Sequence, residues 1–246
     1  MSWPNSRVDF ALGDGWAAYA GPHADHSSHA HVAIQLAVAR SGSVRAVLDD
    51  GRALVGQAVI IGPRVRHRMT DDGGSVLLLY LETHTPLAAR LLTLIAPEDA
   101  AVAPPSIADL LRLADPPECV VARLMAGLDA EATRLDPRLE GALLTASEDP
   151  TPGAIGRAAK AVGVSPARLR ALAQEQMQVP LSQWLLWRKL QRASQAMASS
   201  AGLAEAALAG GFADQAHLTR ITKRMFGLTP LRASGAVRSE GNRFVQ

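Results

Sequence analysis

The sequence predicts an α+β chain: an antiparallel β-barrel, amphipathic helices behind it, and then an all-α domain with two helix-turn-helix units. Two observations predict it. Apolar residues between Val32 and Leu81 recur at period two between turn signals, as strands require. From Pro86 onward they recur every three or four residues, as helices require. The charge divides along the chain too, which points to a polyanion partner for the second part. Residues 1–149 carry 12 Arg, no Lys and 19 Asp plus Glu, a net of −7, whereas residues 150–246 carry 13 Lys plus Arg and 4 Asp plus Glu, a net of +9.

In the first part, Ile34, Leu36 and Val38 alternate with Gln35 and other residues, which argues for a half-buried strand ended by Ser41-Gly42. Val44, Ala46 and Leu48 repeat the pattern up to Asp50-Gly51, a hairpin signal. Ala53 to Val55 and Ala58 to Ile61 follow, separated by Gly56 and closed by Gly62-Pro63. Asp71-Asp72-Gly73-Gly74 makes another turn before a strand-length run from Val76 to Leu81. Short strands at this spacing suit a small antiparallel barrel or sandwich. Behind it, Leu87, Leu91, Leu92 and Ile95 share a helix face. So do Ile107, Leu110, Leu111 and Ala114, and then Val120, Val121, Leu124, Met125 and Leu128, with Arg123 and Glu131 off the stripe. Helices outside a small barrel either cover it or pair with a second subunit; the pairing reading, taken here as the expectation, gives a homodimer.

Several classes drop out. A single Cys119 excludes an intrachain disulfide framework and disfavours a Cys-based zinc site. No run of about 18 apolar residues is present, so no membrane-spanning helix and no membrane partner are expected. The opening MSWPNSRVDF has no basic stretch ahead of an apolar one, so no secretory signal is expected and the setting is taken as cytoplasmic.

Histidines crowd the first part: His23, His26, His29 and His31 fall close together, and His67 follows later. On a strand, His29, His31 and Gln35 share one face. His67 on a neighbouring strand could join them inside a barrel, a donor set suited to a transition metal. This pattern resembles the cupin superfamily over about residues 20–82. Its first motif corresponds to His29, His31, Gln35 and Gly42, and its second to Gly56, Pro63 and His67. Arg64 stands where that family usually has Gly, which predicts a distorted turn. The resemblance implies a metal site of His29, His31, Gln35 and His67 for a divalent Zn, Ni, Cu or Fe ion. The other reading is a metal-free barrel whose histidines line an organic-effector pocket or are solvated. His23 and His26 are read as loop residues.

The basic part is joined by Ser147 to Gly153, whose prolines, glycine and acids suit an exposed linker. Ile155, Ala158, Ala159 and Val162 form a short stripe ending at Gly163. Ser165-Pro166 then starts a second helix, with a hydroxyl cap and proline in its first turn. Leu169, Leu172 and Ala173 face inward, while Arg168 and Arg170 face outward. A long helix from Leu181 to Met197 follows, carrying Arg188, Lys189 and Arg192. Leu203, Ala206, Ala207 and Leu208 begin a second unit, Gly210-Gly211 turns the chain and Phe212 plugs the core. Asp214 caps the last helix. Leu218, Ile221, Met225 and Phe226 point inward; Gln215, His217, Thr219, Arg220, Lys223 and Arg224 point outward.

The string GGFADQAHLTRITKRMFGLTP resembles the second signature of the AraC/XylS family of transcription regulators. Trp184-Leu185, Lys189-Leu190 and Ala193 match its connecting helix. Ala171, Ala173, Gln178, Leu218 and Thr222 depart from it: Arg and Phe are usual at the first two, Gly at the third and Phe at the last two. The resemblance covers about residues 151–232, leaving 1–148 as sensor and dimerisation domain and 233–246 as a tail. It implies a ligand- or metal-responsive regulator of double-stranded DNA. Arg168, Arg170, Gln215, His217, Arg220 and Lys223 are the expected DNA contacts, and no residue is catalytic. Two rivals stay open: a cupin metal oxygenase fused to a DNA-binding tail, and a DNA-binding protein whose barrel only dimerises.

Overall fold

The computed structural model describes residues 9–22, 27–70, 74–111, 115–129, 135–227 and 229–230. His23, His26, Asp71, Asp72, Gly73, Ala114, Glu131 and the tail 233–246 lie outside them. The chain divides into two compact units, Met1–Glu131 with Arg220–Gln246, and Ala132–Thr219.

In the first unit, β1 (Asp9–Gly13), β2 (Trp16–Pro22), β8 (Ser75–Leu81), β3 (Ile34–Ala39), β6 (Ala58–Ile61) and β9 (Ala100–Val102) make one antiparallel sheet in that order. A second sheet has the order β5 (Ala53–Gly56), β4 (Val44–Leu48), β7 (His67–Met69). The chain passes from the small sheet to the large one at Gln57. The Asp50-Gly51 hairpin forms as expected, pairing Val47 with Ala53. The β1–β2 hairpin, the three-residue β7 and β9 were not anticipated. Strand β3, expected to be half buried, is buried along its whole length. Helices cause this. On the outer face, Ile34, Leu36, Val38, Leu77, Leu79 and Leu81 pack against α1 (Pro86–Ile95) and α3 (Pro117–Gly127). On the other face, Gln35 stands directly between Tyr80 and Ile61.

The apolar stripe expected to meet a second subunit is part of that outer core. Ile107 of α2 (Pro105–Leu110), with Val120, Val121, Leu124 and Leu128, is buried within the single chain. An amphipathic helix buries its apolar face on the nearest available sheet, and here the strands behind it offer one. Each such Leu contributes about 1.5–3 kcal/mol by burial.

The second unit holds α4 (Pro137–Glu148), α5 (Ala154–Ala161), α6 (Pro166–Met177), α7 (Leu181–Ala198), α8 (Leu203–Ala209) and the start of α9 (Gln215–Phe226). The α4 helix packs on α5, α6 and α7. The join between the units therefore falls earlier than the predicted linker. That linker is a tight corner inside the second unit. The Arg157 guanidinium donates to the carbonyls of Pro152 and Asp149 and to the Thr151 hydroxyl, at 2.8, 3.2 and 2.7 Å. The α6 start is as expected, with the Arg168 amide donating to Ser165 Oγ at 3.1 Å. Both turns close alike: Val164 N–H donates to Ala159 O and Phe212 N–H to Ala207 O, with Gly163 and Gly211 in the left-handed region. This backbone is cheap for glycine.

Candidate metal centre and nucleic-acid interface

His29, His31 and His67 are buried, and one ring nitrogen from each lies within 4.8 Å of the others. They come together differently from the sequence argument. His29 and His31 precede β3. His29 meets His67 in an isolated bridge, with backbone hydrogen bonds of 2.9 Å in both directions. Arg64 N–H donates to the His31 carbonyl at 2.7 Å, which ties the preceding turn to the same place. That turn is not distorted by lacking glycine: Arg64 itself takes φ of 65°.

The second hydrogen-bond layer fixes the rings. Nδ1 of His29, His31 and His67 faces the carbonyls of Ser27, Ala33 and Val65, at 2.9, 2.8 and 3.0 Å. A carbonyl oxygen only accepts, so each Nδ1 carries the proton and a neutral ring turns its Nε2 lone pair elsewhere. Burial pushes the His31 pKa below the ordinary imidazole value, against hydrogen bonds to Gln35 and Ala33 that raise it. Nε2 of His31 and of His67 then faces Gln35 Oε1, at 2.8 and 3.2 Å. Gln35 Nε2 is buried with no hydrogen-bond partner among the described residues.

Three imidazoles and an amide oxygen in this orientation fit a divalent Zn, Ni, Cu or Fe ion. Backbone carbonyls behind ligating histidines are the usual second layer of such a site. Turning the Gln35 amide over would instead let Nε2 donate to the His31 and His67 rings without a metal.

Tyr80 belongs to this site and was missed by the sequence reading. Its ring is 5.2 Å from His31, edge-on, and burial raises its pKa. Its place follows from pairing with Gln35, which needs the sheet order. The end of α9, grouped with this unit, adds Phe226 at 5.4 Å from Tyr80, and Ser27 Oγ donates to the Gly227 carbonyl at 3.1 Å.

On the helical side, Arg168 and Arg170 are exposed on α6, and Gln215, Arg220 and Lys223 are exposed on α9. His217 differs. It is only partly exposed, its ring lies edge-on 5.4 Å from buried Phe212, and its amide donates to the capping Asp214 at 2.6 Å. Packing therefore occupies part of its ring surface.

The positive charge of residues 150–246 is not all available to a polyanion. Arg157 holds the α4–α5 corner. Arg188, Lys189 and Arg192 of α7 donate to Ser147 Oγ, to the Gly211 carbonyl and to the Ala209 carbonyl. Arg157 and Arg192 are exposed as well as hydrogen-bonded, so spacing alone could not separate these cations from Arg168, Arg170, Arg220 and Lys223.

Comparison with known proteins adds three findings. The family described as "Helix-turn-helix domain" matches residues 158–234. No curated protein is similar in sequence. Among solved structures, ToxT from Vibrio cholerae resembles the chain nearly throughout. An apo variant from strain SCE256 gives a TM-score of 0.58 at 11% identity, over 89% of this chain and 96% of that one. The wild-type protein of that strain, bound to an unsaturated fatty acid, gives 0.57 at 11%, over 94% and 96%. ToxT from O395 gives 0.56 at 8%, over 92% and 100%. At these identities the likeness is one of fold. Among the described residues no helix is long and apolar enough to cross a membrane.

Proposed function

With a helix-turn-helix domain of the AraC type over residues 158–234, we propose that the chain is a ligand-responsive, DNA-binding transcription regulator. The observation that carries this is the pairing of two helix-turn-helix units with exposed Arg and Gln side chains on the second helix of each. Such helices read base edges in the major groove. Arg pairs bidentately with guanine and Gln with adenine. Arg170, Gln215 and Arg220 are the base-reading residues of the proposal, while Arg168 and Lys223 serve the phosphates. His217 has a lesser part.

The effector site is the buried cluster of His29, His31, Gln35 and His67. A divalent transition metal would be held by these four residues and would supply a positive charge that links three chain segments. An organic effector against Tyr80 and the same histidines is the second reading, favoured by ToxT having been solved with a fatty acid. Either effector signals by binding one arrangement of the chain better than another. No catalytic step is part of the proposal. A homodimer is part of it, but its contact is not the buried Ile107–Leu128 stripe. The opposite face of α3, where Met125 is 43% exposed, remains open to a second copy.

The test is DNA affinity of the full chain, with and without Zn²⁺ and with and without unsaturated fatty acid, for wild type, His31→Ala and His67→Ala. Salt-sensitive DNA binding that the effector shifts in wild type alone is the expected result. DNA affinity indifferent to every effector would remove the sensor role.

A further inference from the structure

Helix α7 does more than connect the two helix-turn-helix units. The last carbonyls of a helix have no partner within it, and cations near that end are favoured. Two helices of the second unit end beside α7. Arg192 Nη1 donates to the carbonyls of Ser147 and Glu148, the last two residues of α4, at 3.0 and 3.2 Å. Nε of the same guanidinium donates to the carbonyl of Ala209, the last residue of α8, at 3.3 Å. One side chain therefore closes two helix ends that are about sixty residues apart in sequence. Lys189, one turn earlier, donates to the Gly211 carbonyl in the α8–α9 turn at 2.9 Å. Burial pushes its pKa below the ordinary lysine value. The turn also sits against α7 itself: a Cβ on Gly210 would stand 2.7 Å from the Lys189 carbonyl and 2.9 Å from Ala193 Cβ.

The α4 helix packs on α5 and α6, the first helix-turn-helix unit, and α8 opens the second. We infer that Arg192 and Lys189 are positioning residues that fix the two helix-turn-helix units to α7, and so set the spacing between the two DNA half-sites that the chain accepts. The inference rests on the DNA-binding reading above. Neither cation needs to touch DNA. The guanidinium fork is essential at position 192, because an ammonium is a single point and cannot reach two helix ends together.

The experiment uses the full chain and a two-part duplex selected by the wild type from a random pool. Affinity is measured on that duplex, on versions with the half-sites moved apart by one or two base pairs, and on random duplex over a salt series. The proteins are wild type, Arg192→Lys, Arg192→Gln and Lys189→Met. Two inserted base pairs should weaken wild type by about ten- to a hundredfold, the range of a lost specific contact. Arg192→Lys, Arg192→Gln and Lys189→Met should each bind the selected duplex more weakly and lose most of that discrimination. They should keep the wild-type salt slope on random duplex, which also shows that they are folded. A phosphate contact gives the opposite pattern: the neutral variants lose about 0.9 from the slope and Arg192→Lys matches wild type. That pattern overturns the inference, as does spacing discrimination retained in all three variants or missing in wild type. A wild type without salt-dependent duplex binding would sink the DNA-binding reading and this inference with it.

Discussion

Nε2 of His31 lies 2.8 Å from Oε1 of Gln35, and with the backbone claiming the Nδ1 proton this orientation of the amide sets two acceptors face to face. A cation near them relieves that opposition. Zn²⁺ at about a hundredfold over its Kd should raise the unfolding free energy by about 2.7 kcal/mol. Thermal unfolding of wild type, His31→Ala and His67→Ala in zinc and in chelator checks this. Both variants should lose the rise, and an undiminished rise in both would place the metal elsewhere.

Leu124 lies fully buried against the large sheet. Leu124→Ala should therefore destabilise the chain by about 2–5 kcal/mol, as core truncations do. The loss should not depend on protein concentration. Met125→Ala, on the exposed side of the same helix, should change stability little. Denaturant unfolding at two protein concentrations is the measurement. A concentration-dependent loss for Leu124→Ala would return that stripe to a subunit interface.

Arg64 and Gln178 both stand where the resembled families usually have glycine, and both adopt left-handed backbone, with φ of 65° and 55°. The fold has kept the glycine conformation and put a Cβ on it. That conformation costs an L-residue about 1–2 kcal/mol, part of which glycine returns as chain entropy. Arg64→Gly and Gln178→Gly should each stabilise by about 1 kcal/mol, read from urea midpoints. A lowered midpoint in either would mean that its side chain matters more than its backbone.

These two positions show how the sequence was legible and where it stopped being so. Departures at Arg64 and Gln178 could be seen from spacing, but whether the turn or the residue would yield was a tertiary matter. The histidine cluster could be seen because its motif spacing is rigid. Tyr80 could not, since nothing local says that β8 lies beside β3. Ser147 to Gly153 looked like a linker on composition. The Arg157 side chain folding back on the carbonyls, together with the Thr151 hydroxyl donating to Asp149 Oδ1, makes it a corner. The β7 strand is three residues long and carries too little alternation to be recognised.

Arg220 and His217 should separate on DNA. Arg220 is exposed on α9, and its loss should cost about 1–3 kcal/mol on a selected site while random duplex changes less. His217→Ala should lower thermal stability as well as affinity, because its ring rests on Phe212. Titrations on selected and random duplex, beside melting curves, distinguish them. Equal losses on both duplexes would make Arg220 a phosphate contact, and an unchanged melting point would free His217 for base reading.

Asp136 gives the second unit an acid limit. Its carboxylate caps α4, accepting from the Arg138 amide at 2.8 Å and from the Arg138 guanidinium at 3.0 and 2.7 Å. The side-chain hydrogen bonds from Arg138 act first, then its backbone hydrogen bond, with Arg168 adding a smaller attraction; together they hold the carboxyl at about 2. The unfolded chain has the ordinary value of 3.8. Between these values the unfolded state binds the proton and the folded state does not, so stability falls as pH falls. The contribution is complete above about pH 4 and fades toward pH 2. The carboxylate is partly exposed and its Arg138 partner exposed, so salt should weaken the effect. Acid unfolding followed by helical circular dichroism should show wild type and Asp136→Asn converging as pH drops from 5 to 2, with wild type the more stable at pH 5. A gap that stays constant across that range would leave Asp136 as a neutral cap, with no part played by its charge.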